Sequence, residues 1–419
     1  MNSTDQRRTL ATAPDRSISE SWRASVVDVT RINSRLTGLW LRLNGPRPLR
    51  LSGFSRPGRT DDLFESGEGL GTYARTNTTS VLICARTPAQ ALRAEEAIDG
   101  LRTHYPTRAI SVAADPTLDR VEPSPDDGPL AITTRLVPTG SGAAKPGHFE
   151  FVSISGGPRR LGNPARTAIP LCIPDLPIVL WWLGDLQYDL GMFHDLTESS
   201  DRVIVDSAVF GDVARGLTSL SALDSQQGRG SSVLVDMAWS RLNAWRNLIA
   251  QFYDAPSHPD ALASISSVTV AYVDDPEPGQ AAGQASALLL VGWLASRLGW
   301  RLDGRMTRTS AGLRLLYTTA QPYPVVVRLH PVHARSSLGI ASVSISSTGD
   351  AKSSYLIEQF DQRELVTTSA LPGHAPMTRH VVVPDEHDSA LLERVLQDLG
   401  PDPIFDEALA AVAMAFSRR

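Results

Sequence analysis

The chain has 419 residues, of which 42% are hydrophobic and 20% are charged, so it can bury the cores of two or three domains. Its 40 basic and 45 acidic side chains give a formal net charge of −5, which excludes the broad positive surface that nucleic-acid binding requires. Two cysteines, Cys84 and Cys172, are too few for a disulfide framework or a four-cysteine zinc site, and they indicate a cytoplasmic protein.

The N-terminal 22 residues are polar and show no periodicity, which predicts a disordered arm without a secretion signal. From Val27 to Leu43 the apolar residues follow helical spacing, and the glycine and prolines that come next end the pattern. The most apolar stretch, residues 285–298, is too short to cross a bilayer and contains Arg297. We therefore expect a first helix after the arm, and no membrane partner.

The next part of the chain alternates apolar runs with helical patterns. Residues 80–85 and 109–114 are short apolar runs on either side of an alanine-rich helical segment, residues 87–101. Such a β-α-β unit places two strands in parallel with a helix covering them. Further strand candidates occur at residues 148–155 and 201–210, and between them residues 169–184 form a proline-punctuated extended segment that ends in an apolar run. These patterns predict an α/β domain with a largely parallel sheet over residues 23–258.

The C-terminal part, residues 259–419, has a different pattern. A strand at residues 264–272 precedes a helix at about 280–298, for which Gly299 is the expected C-cap. Short strand-like runs separated by Gly, Pro, Asp and Ser clusters then predict an antiparallel meander. These runs are residues 312–318, 324–330, 338–346, 353–359 and 379–383, and helical periodicity returns at 386–398 and 403–416. The fold prediction is an α+β domain.

A glycine turn with two arginines follows the strand at residues 148–155. The backbone amides of Gly156 and Gly157 and the guanidinium groups of Arg159 and Arg160 could hold an anion. This turn keeps open an alternative function, an enzyme or sensor that binds a sugar phosphate or nucleotide. A solvated turn explains the same residues.

The sequence contains none of the common catalytic motifs. It has no GxSxG elbow, no HExxH pair and no Walker sequence. His330 and His333 have a spacing seen in some metal sites, yet no cysteine or carboxylate nearby would complete the ligand set. We therefore predict no catalytic residues, no metal and no cofactor.

The most distinctive segment is residues 236–256. Asp236 suits the positive end of the helix, and one apolar stripe is predicted to face the core. A neighbouring face carries Trp239 and Arg246, and Arg241 lies close by. The stripe consists of Ala238, Leu242, Trp245, Ile249 and Phe252. Because Trp and Arg are enriched at interface hot spots, these residues are candidates for partner binding, as is Trp182 of the Trp181-Trp182 pair. Core tryptophans and arginines paired with acidic residues are the alternative.

Three segments in this order resemble the OpcA family: residues 174–185, 199–210 and 235–254. The resemblance covers about residues 25 to 305. It implies a protein that binds glucose-6-phosphate dehydrogenase, assists its assembly and raises its activity, thereby supporting NADPH production in the oxidative pentose phosphate pathway. No catalytic residues are implied.

Redox control is associated with family members in photosynthetic bacteria, and it requires a cysteine pair that can exchange a disulfide. Cys84 and Cys172 lie in separate apolar segments of this chain. We therefore expect buried structural thiols and no redox regulation through them.

Overall fold

The computed structural model of the chain describes residues 17–44, 77–101, 106–120, 128–139, 147–186, 190–226, 232–254, 262–274, 282–333, 339–348, 352–384, 387–397 and 400–417. These residues form two β-sheets with helices packed on them. Most of the predicted disordered arm, residues 1–16, lies outside the described residues. Its last part is a strand, so the prediction of disorder is wrong for Ile18 to Trp22.

The first sheet has eight strands in the order β1-β4-β5-β3-β2-β6-β7-β8. In this spatial order, every neighbouring pair from β5 through β3, β2, β6 and β7 to β8 is parallel. The pairs β1–β4 and β4–β5, at one edge of the sheet, are antiparallel. The strands are β1 (Ile18–Ala24), β2 (Thr79–Ala85), β3 (Thr107–Ala114), β4 (Leu130–Thr139), β5 (Gly147–Gly156), β6 (Ile178–Trp182), β7 (Arg202–Val205) and β8 (Val233–Asp236). The predicted largely parallel sheet is confirmed.

Helices cover both faces of the first sheet. Alternate side chains of β2 separate the two layers: Leu82 and Cys84 belong to one core, Val81 and Ile83 to the other. Helices α1 (Val29–Asn44), α5 (Leu190–Glu198) and α6 (Val213–Gln226) pack on the first face, and α2 (Pro88–Gly100) packs on the second. Short helices α3 (Pro158–Leu161) and α4 (Pro164–Ala168) follow β5. Burial on both faces explains why the central strands are continuously apolar.

The second sheet has nine strands, and most of its pairs are antiparallel. Its central strand β9 is parallel to β13 and antiparallel to β14, so the first strand of this part inserts into the meander. The strands are β9 (Ile265–Val273), β10 (Arg301–Leu302), β11 (Thr307–Thr309), β12 (Gly312–Thr318), β13 (Val325–Val332), β14 (Ile340–Ser347), β15 (Ser354–Asp361), β16 (Glu364–Ala370) and β17 (Met377–Val382). The predicted α+β part with an antiparallel meander is confirmed.

Five further helices lie between and beside the two sheets in the described chain. Helices α7 (Met237–Arg241) and α8 (Asn243–Tyr253) follow β8, α9 (Ala282–Leu298) follows β9, and α10 (Asp388–Gln397) and α11 (Pro403–Ser417) end the described chain. Gly299 ends α9 with a φ of +64°, as its predicted C-cap role requires. A side chain at Gly292 would collide with the Ala408 carbonyl, so this glycine lets α9 and α11 cross closely. Among the described residues, no helix is long and apolar enough to cross a membrane.

The predicted domain boundary at residue 258 falls between the two sheets, within residues 255–261, which lie outside the described ranges. It stays a prediction. The C-terminal helices pack against elements on both sides of this boundary. Helix α10 packs against α2, and α11 packs against both α6 and α9. Helices α10 and α11 therefore contribute to the helical layers that cover both sheets.

Candidate functional site

The segment singled out in the sequence, residues 236–256, is described to residue 254 and forms two helices instead of one. Asp236 ends β8 and caps α7 by accepting a hydrogen bond from the Ala238 backbone N at 3.0 Å. A turn at Leu242 then separates α7 from α8. Leu242, Trp245 and Ile249 are buried, so the predicted apolar stripe faces the core as expected.

Trp239 points toward the C-terminal helix α11, and the half-buried Arg246 lies against the Trp239 ring. The Trp239 side chain is 3% exposed, and its Nε1 donates a hydrogen bond to Asp402 at 2.7 Å. Its ring lies 5.6 Å from that of Phe405, and the Arg246 guanidinium carbon lies 3.5 Å from its centroid. Arg246 also donates to Asn243. Burial lowers the pKa of Arg246 to about 10, although Asp402 opposes the shift. Trp239 is therefore a core side chain, which is the alternative to partner binding. Partner contact by the half-buried Arg246 stays a prediction.

Arg241 lies in a cluster of four charged side chains. It makes two hydrogen bonds to Asp206, at 2.9 and 3.0 Å, and a longer one to Asp388 of α10 at 3.4 Å. Arg93 of α2 contacts the same two carboxylates. We call Arg93, Asp206, Arg241 and Asp388 the charge cluster. Two positive and two negative groups balance in it, so Arg241 serves to join α7, the end of β7, α2 and α10, and is not displayed to a partner.

The charge cluster sits beside a second buried carboxylate, Asp236. Burial would raise the pKa of Asp206, but the charge and hydrogen bonds of Arg241, together with the charge of Arg93, lower it below its usual value. Among the described residues no cation forms a hydrogen bond to Asp236, and burial followed by the charge of Asp206 raises its pKa to about 6. Its oxygens accept hydrogen bonds from the Ser207 backbone N at 2.9 Å and the Ser207 hydroxyl at 2.5 Å.

Replacing Asp236 by asparagine is expected to stabilise the protein near neutral pH. The asparagine oxygen can accept the two backbone hydrogen bonds, and its amide can donate to the Ser207 hydroxyl. Because the folded-state pKa of Asp236 is raised, ionisation costs stability as pH rises from about 4 through 6. We expect the variant's advantage in free energy of unfolding to grow over that window to about 2–3 kcal/mol, measured by urea denaturation. An advantage that is absent, or equal at pH 4 and pH 7, would contradict this assignment.

The charge cluster lies at the carboxyl edge of the first sheet. Strands β2 and β6 are neighbours in the sheet. From β2 the chain passes through α2, on one face, to β3 on one side of this pair. From β6 it passes through α5, on the opposite face, to β7 on the other side of the pair. The carboxyl ends of β2 and β6 therefore flank a topological switch point, where open α/β sheets bind ligands. Trp181 and Trp182 end β6, and both are buried.

Trp182 belongs to the core on the first face of the sheet. It is 2% exposed, and its ring packs edge-on against Phe193 of α5 with centroids 5.1 Å apart. Burial leaves no surface on this side chain for a partner. Of the contacts open to this side chain, namely a helix, a ligand or a partner, the structure shows the helix, because helices cover both faces of the strand.

The glycine turn holds one of the protein's own carboxylates. Asp119 accepts a hydrogen bond from the Arg159 backbone N at 3.2 Å, and a side chain at Gly157 would collide with the Asp119 carboxylate. The position where an anion was predicted is therefore next to a negative charge. Gly156 continues β5, and neither Arg159 nor Arg160 has an ion-pair partner among the described residues. Anion binding here stays a prediction, and the neighbouring carboxylate weakens its support.

Cys84 and Cys172 are free and buried. Burial raises the pKa of Cys84 to about 12 and that of Cys172 to about 11, the latter against the charge of Arg108. Thiolates are the reactive form, so neither side chain is suited to disulfide exchange. Within the described ranges, no group of three or more potential ligands is placed to hold a metal ion.

Comparison with protein families decides which family the fold represents. A model described as the glucose-6-phosphate dehydrogenase subunit N-terminal domain, an OpcA assembly domain, matches residues 99–222. A second OpcA model, described as the C-terminal domain of the same subunit, matches residues 232–409. The chain belongs to the OpcA family. In this OpcA family member, Asp206 lies in the first matched segment and Arg241 and Asp388 in the second, so the charge cluster joins the two.

Curated relatives carry the name OxPP cycle protein OpcA as a provisional assignment. The relative from Nostoc punctiforme is 36% identical over 152 residues, which are 36% of this chain and 30% of that protein. The relative from Synechococcus elongatus is 27% identical over 278 residues, 64% of this chain and 60% of that protein. The chain thus matches less than two thirds of the length of either. An oxidoreductase structure from Sinorhizobium meliloti aligns over 80% of this chain and 95% of that chain at 8% identity and a TM-score of 0.41, which supports no inference about activity.

Proposed function

We propose that this protein is a non-catalytic assembly factor and activator of glucose-6-phosphate dehydrogenase, acting in the cytoplasm. The observation that carries the proposal is the pair of OpcA family models, both described as domains of a glucose-6-phosphate dehydrogenase subunit, which match the chain consecutively. Through its partner the protein would support NADPH production in the oxidative pentose phosphate pathway. No catalytic motif in the sequence competes with this function.

Activation of this kind is a shift between states of the partner enzyme. An activator that binds the active arrangement of the dehydrogenase better than the inactive one moves the equilibrium toward activity, by no more than its differential affinity. The shift can act through oligomer assembly or within one oligomer. The test is to titrate the purified protein into its cognate dehydrogenase and follow NADPH formation. We expect a saturable rise in activity, and no oxidation of glucose 6-phosphate by the purified protein alone.

Three of the four side chains first singled out, Trp182, Trp239 and Arg241, make their contacts within the protein, so the partner needs a further surface besides Arg246. We infer that the contact involves the outer strands of the second sheet. Phe360 and Val382 are 67% and 76% exposed, the largest exposures among neighbouring apolar residues there. The Phe360 and His380 rings are 6.1 Å apart, and Val382 is paired with Glu364, which contacts His380.

Strand β17 adds a second feature to this surface. It pairs with β16 on one side, and no strand pairs with its other side among the residues that the structure describes. An open edge presents backbone donors and acceptors that another strand can satisfy, and exposed apolar residues beside it mark interaction sites. We therefore expect a strand of the dehydrogenase to meet β17, with apolar contacts to Phe360 and Val382.

Aspartate at Phe360 or Val382 should test this surface. Each change places a charge within the inferred contact, and we expect at least a tenfold higher concentration for half-maximal activation. Both side chains are exposed, so thermal stability should change little. The matched control is Met414→Asp on α11, where an equally apolar side chain is 58% exposed on a different surface. Unchanged activation by Phe360→Asp and Val382→Asp would rule out the outer strands as the contact.

The alternative function, a sugar-phosphate- or nucleotide-binding enzyme or sensor, was predicted to use the turn from Gly156 to Arg160. The carboxylate of Asp119 at that turn would repel a phosphate, which weakens this form of the alternative. The activator proposal has the stronger support.

A further inference from the structure

A cavity of about 240 Å³ opens at the topological switch point of the first sheet. Its walls come from the first turns of α2, the end of β6, the segment after β7 and the start of α7. Gln90, Arg93, Trp181 and Asp206 line it together with Leu183 and Met237. The proposed activator function uses none of these residues.

The cavity presents hydrogen-bond donors that nothing in the described chain satisfies. Trp181 is fully buried, and its Nε1 has no hydrogen-bond partner. The Gln90 side-chain oxygen accepts from the Arg86 backbone N at 2.8 Å, while its amide nitrogen has no partner among the described residues. Arg93 uses Nε and Nη2 to bind Asp388, and its Nη1 is unpaired within the same ranges. All three side chains line the same cavity.

The acceptors that line the cavity are already in use. The Asp206 carboxylate accepts hydrogen bonds from Arg241 and from the Ala208 backbone N at 3.2 Å. Ion pairs with Arg93 and Arg241 balance its charge, whereas the Asp119 carboxylate at the glycine turn has no ion-pair partner among the described residues. A ligand that complements the cavity must therefore supply acceptors. The amino end of α2, with its positive partial charge, adjoins the cavity through Gln90 and favours a negative ligand.

The size of the cavity and the loop beside it limit the ligand further. A cavity of about 240 Å³ is below the usual range for a drug-sized molecule and too small for a dinucleotide. The turn from β2 into α2 reads Arg86-Thr87-Pro88 and lacks the glycines that let a backbone approach a pyrophosphate. We propose that this cavity binds the phosphate group of a small molecule, either free phosphate or a small phosphate monoester, through Trp181, Gln90 and Arg93.

Gln90→Glu is the sharpest variant for this site. The new carboxylate can still accept the hydrogen bond from the Arg86 backbone N, but it replaces the donor amide by a negative oxygen. Gln251→Glu on the exposed side of α8 makes the same change of charge away from the cavity. Trp181→Phe provides a second variant, because it removes the indole N–H and keeps an aromatic ring.

The measurement is the melting temperature as a function of inorganic phosphate or glucose 6-phosphate concentration, at ionic strength held constant with chloride. Ligand binding to the folded state raises the melting temperature in proportion to the logarithm of concentration above Kd. We expect a saturable site in the wild type and in Gln251→Glu, and at least tenfold weaker binding in Gln90→Glu and Trp181→Phe. Tighter binding of the ester identifies a metabolite as the source, and equal binding identifies free phosphate.

Two results would overturn the proposal. One is the absence of any phosphate-specific stabilisation of the wild type up to tens of millimolar. The other is stabilisation that Gln90→Glu retains in full, since this would place the phosphate elsewhere. The test requires no dehydrogenase, so its failure leaves the proposed activator function unaffected.

Discussion

Replacing Arg241 by alanine is expected to lower the free energy of unfolding at pH 7 by about 3–5 kcal/mol. The change leaves the Asp206 carboxylate, which is 4% exposed, without the guanidinium that makes two hydrogen bonds to it. Arg93 remains 3.5 Å from one oxygen and offsets part of the loss. Urea denaturation of the wild type and the variant measures the difference.

The pH dependence gives this prediction a second readout. In the wild type the pKa of Asp206 is below its usual value, so its stabilising charge is present throughout pH 5 to 7. Without Arg241, burial favours the protonated carboxyl, and the variant should gain stability as pH falls. The deficit should therefore shrink toward pH 5. Arg241→Lys keeps the charge and should lose less. A deficit below about 1 kcal/mol at pH 7 would show that the cluster does not depend on Arg241.

Trp245→Ala is expected to destabilise the protein by about 3–5 kcal/mol, as a large-to-small change in the core. The Trp245 side chain is 6% exposed and packs in the large core cluster. Arg246→Ala, one residue further along α8, should cost only about 0.5–2 kcal/mol, because its main loss is the contact with the Trp239 ring. Chemical denaturation of both variants measures the two losses in free energy of unfolding and so tests whether the first is the larger.

Equal losses in these two variants would contradict the division of α8 into a core stripe and a stacked arginine. Trp245→Phe is a useful control, because it retains an aromatic ring and should lose less than the alanine variant. If Arg246→Ala folds normally and also weakens activation, the predicted partner contact of Arg246 gains support.

The sequence was sufficient to predict the elements with the strongest patterns. Strands β2 and β3 are buried on both faces, and each therefore carries a mainly apolar run, at residues 81–85 and 109–114. Helix α9 packs between α11 and the second sheet, which explains its apolar sequence. Strands β4 and β16 were missed because their apolar residues alternate with Thr, Ser and Arg, as expected for strands with one exposed face.

The candidate site was less predictable because its contacts are long-range. Arg241 pairs with Asp206 at a separation of 35 residues and with Asp388 at 147 residues, and no local pattern encodes such distances. One signal was available: Asp206 directly follows the short strand β7, and Asp236 is the last residue of the short strand β8. Since parallel strands gather their carboxyl ends at one edge, this repetition predicts that the two carboxylates lie together. The cover that α11 places over Trp239 could not be inferred from helical spacing.

Sedimentation velocity of the cognate glucose-6-phosphate dehydrogenase, alone and with this protein, tests the central claim most directly. If the protein is an assembly factor, adding it at micromolar concentration should produce a faster-sedimenting species that contains both chains, with activity rising in parallel. Val382→Asp should weaken formation of that species, and Met414→Asp should not. Two independent boundaries and unchanged activity, at concentrations well above micromolar, would contradict the proposed function.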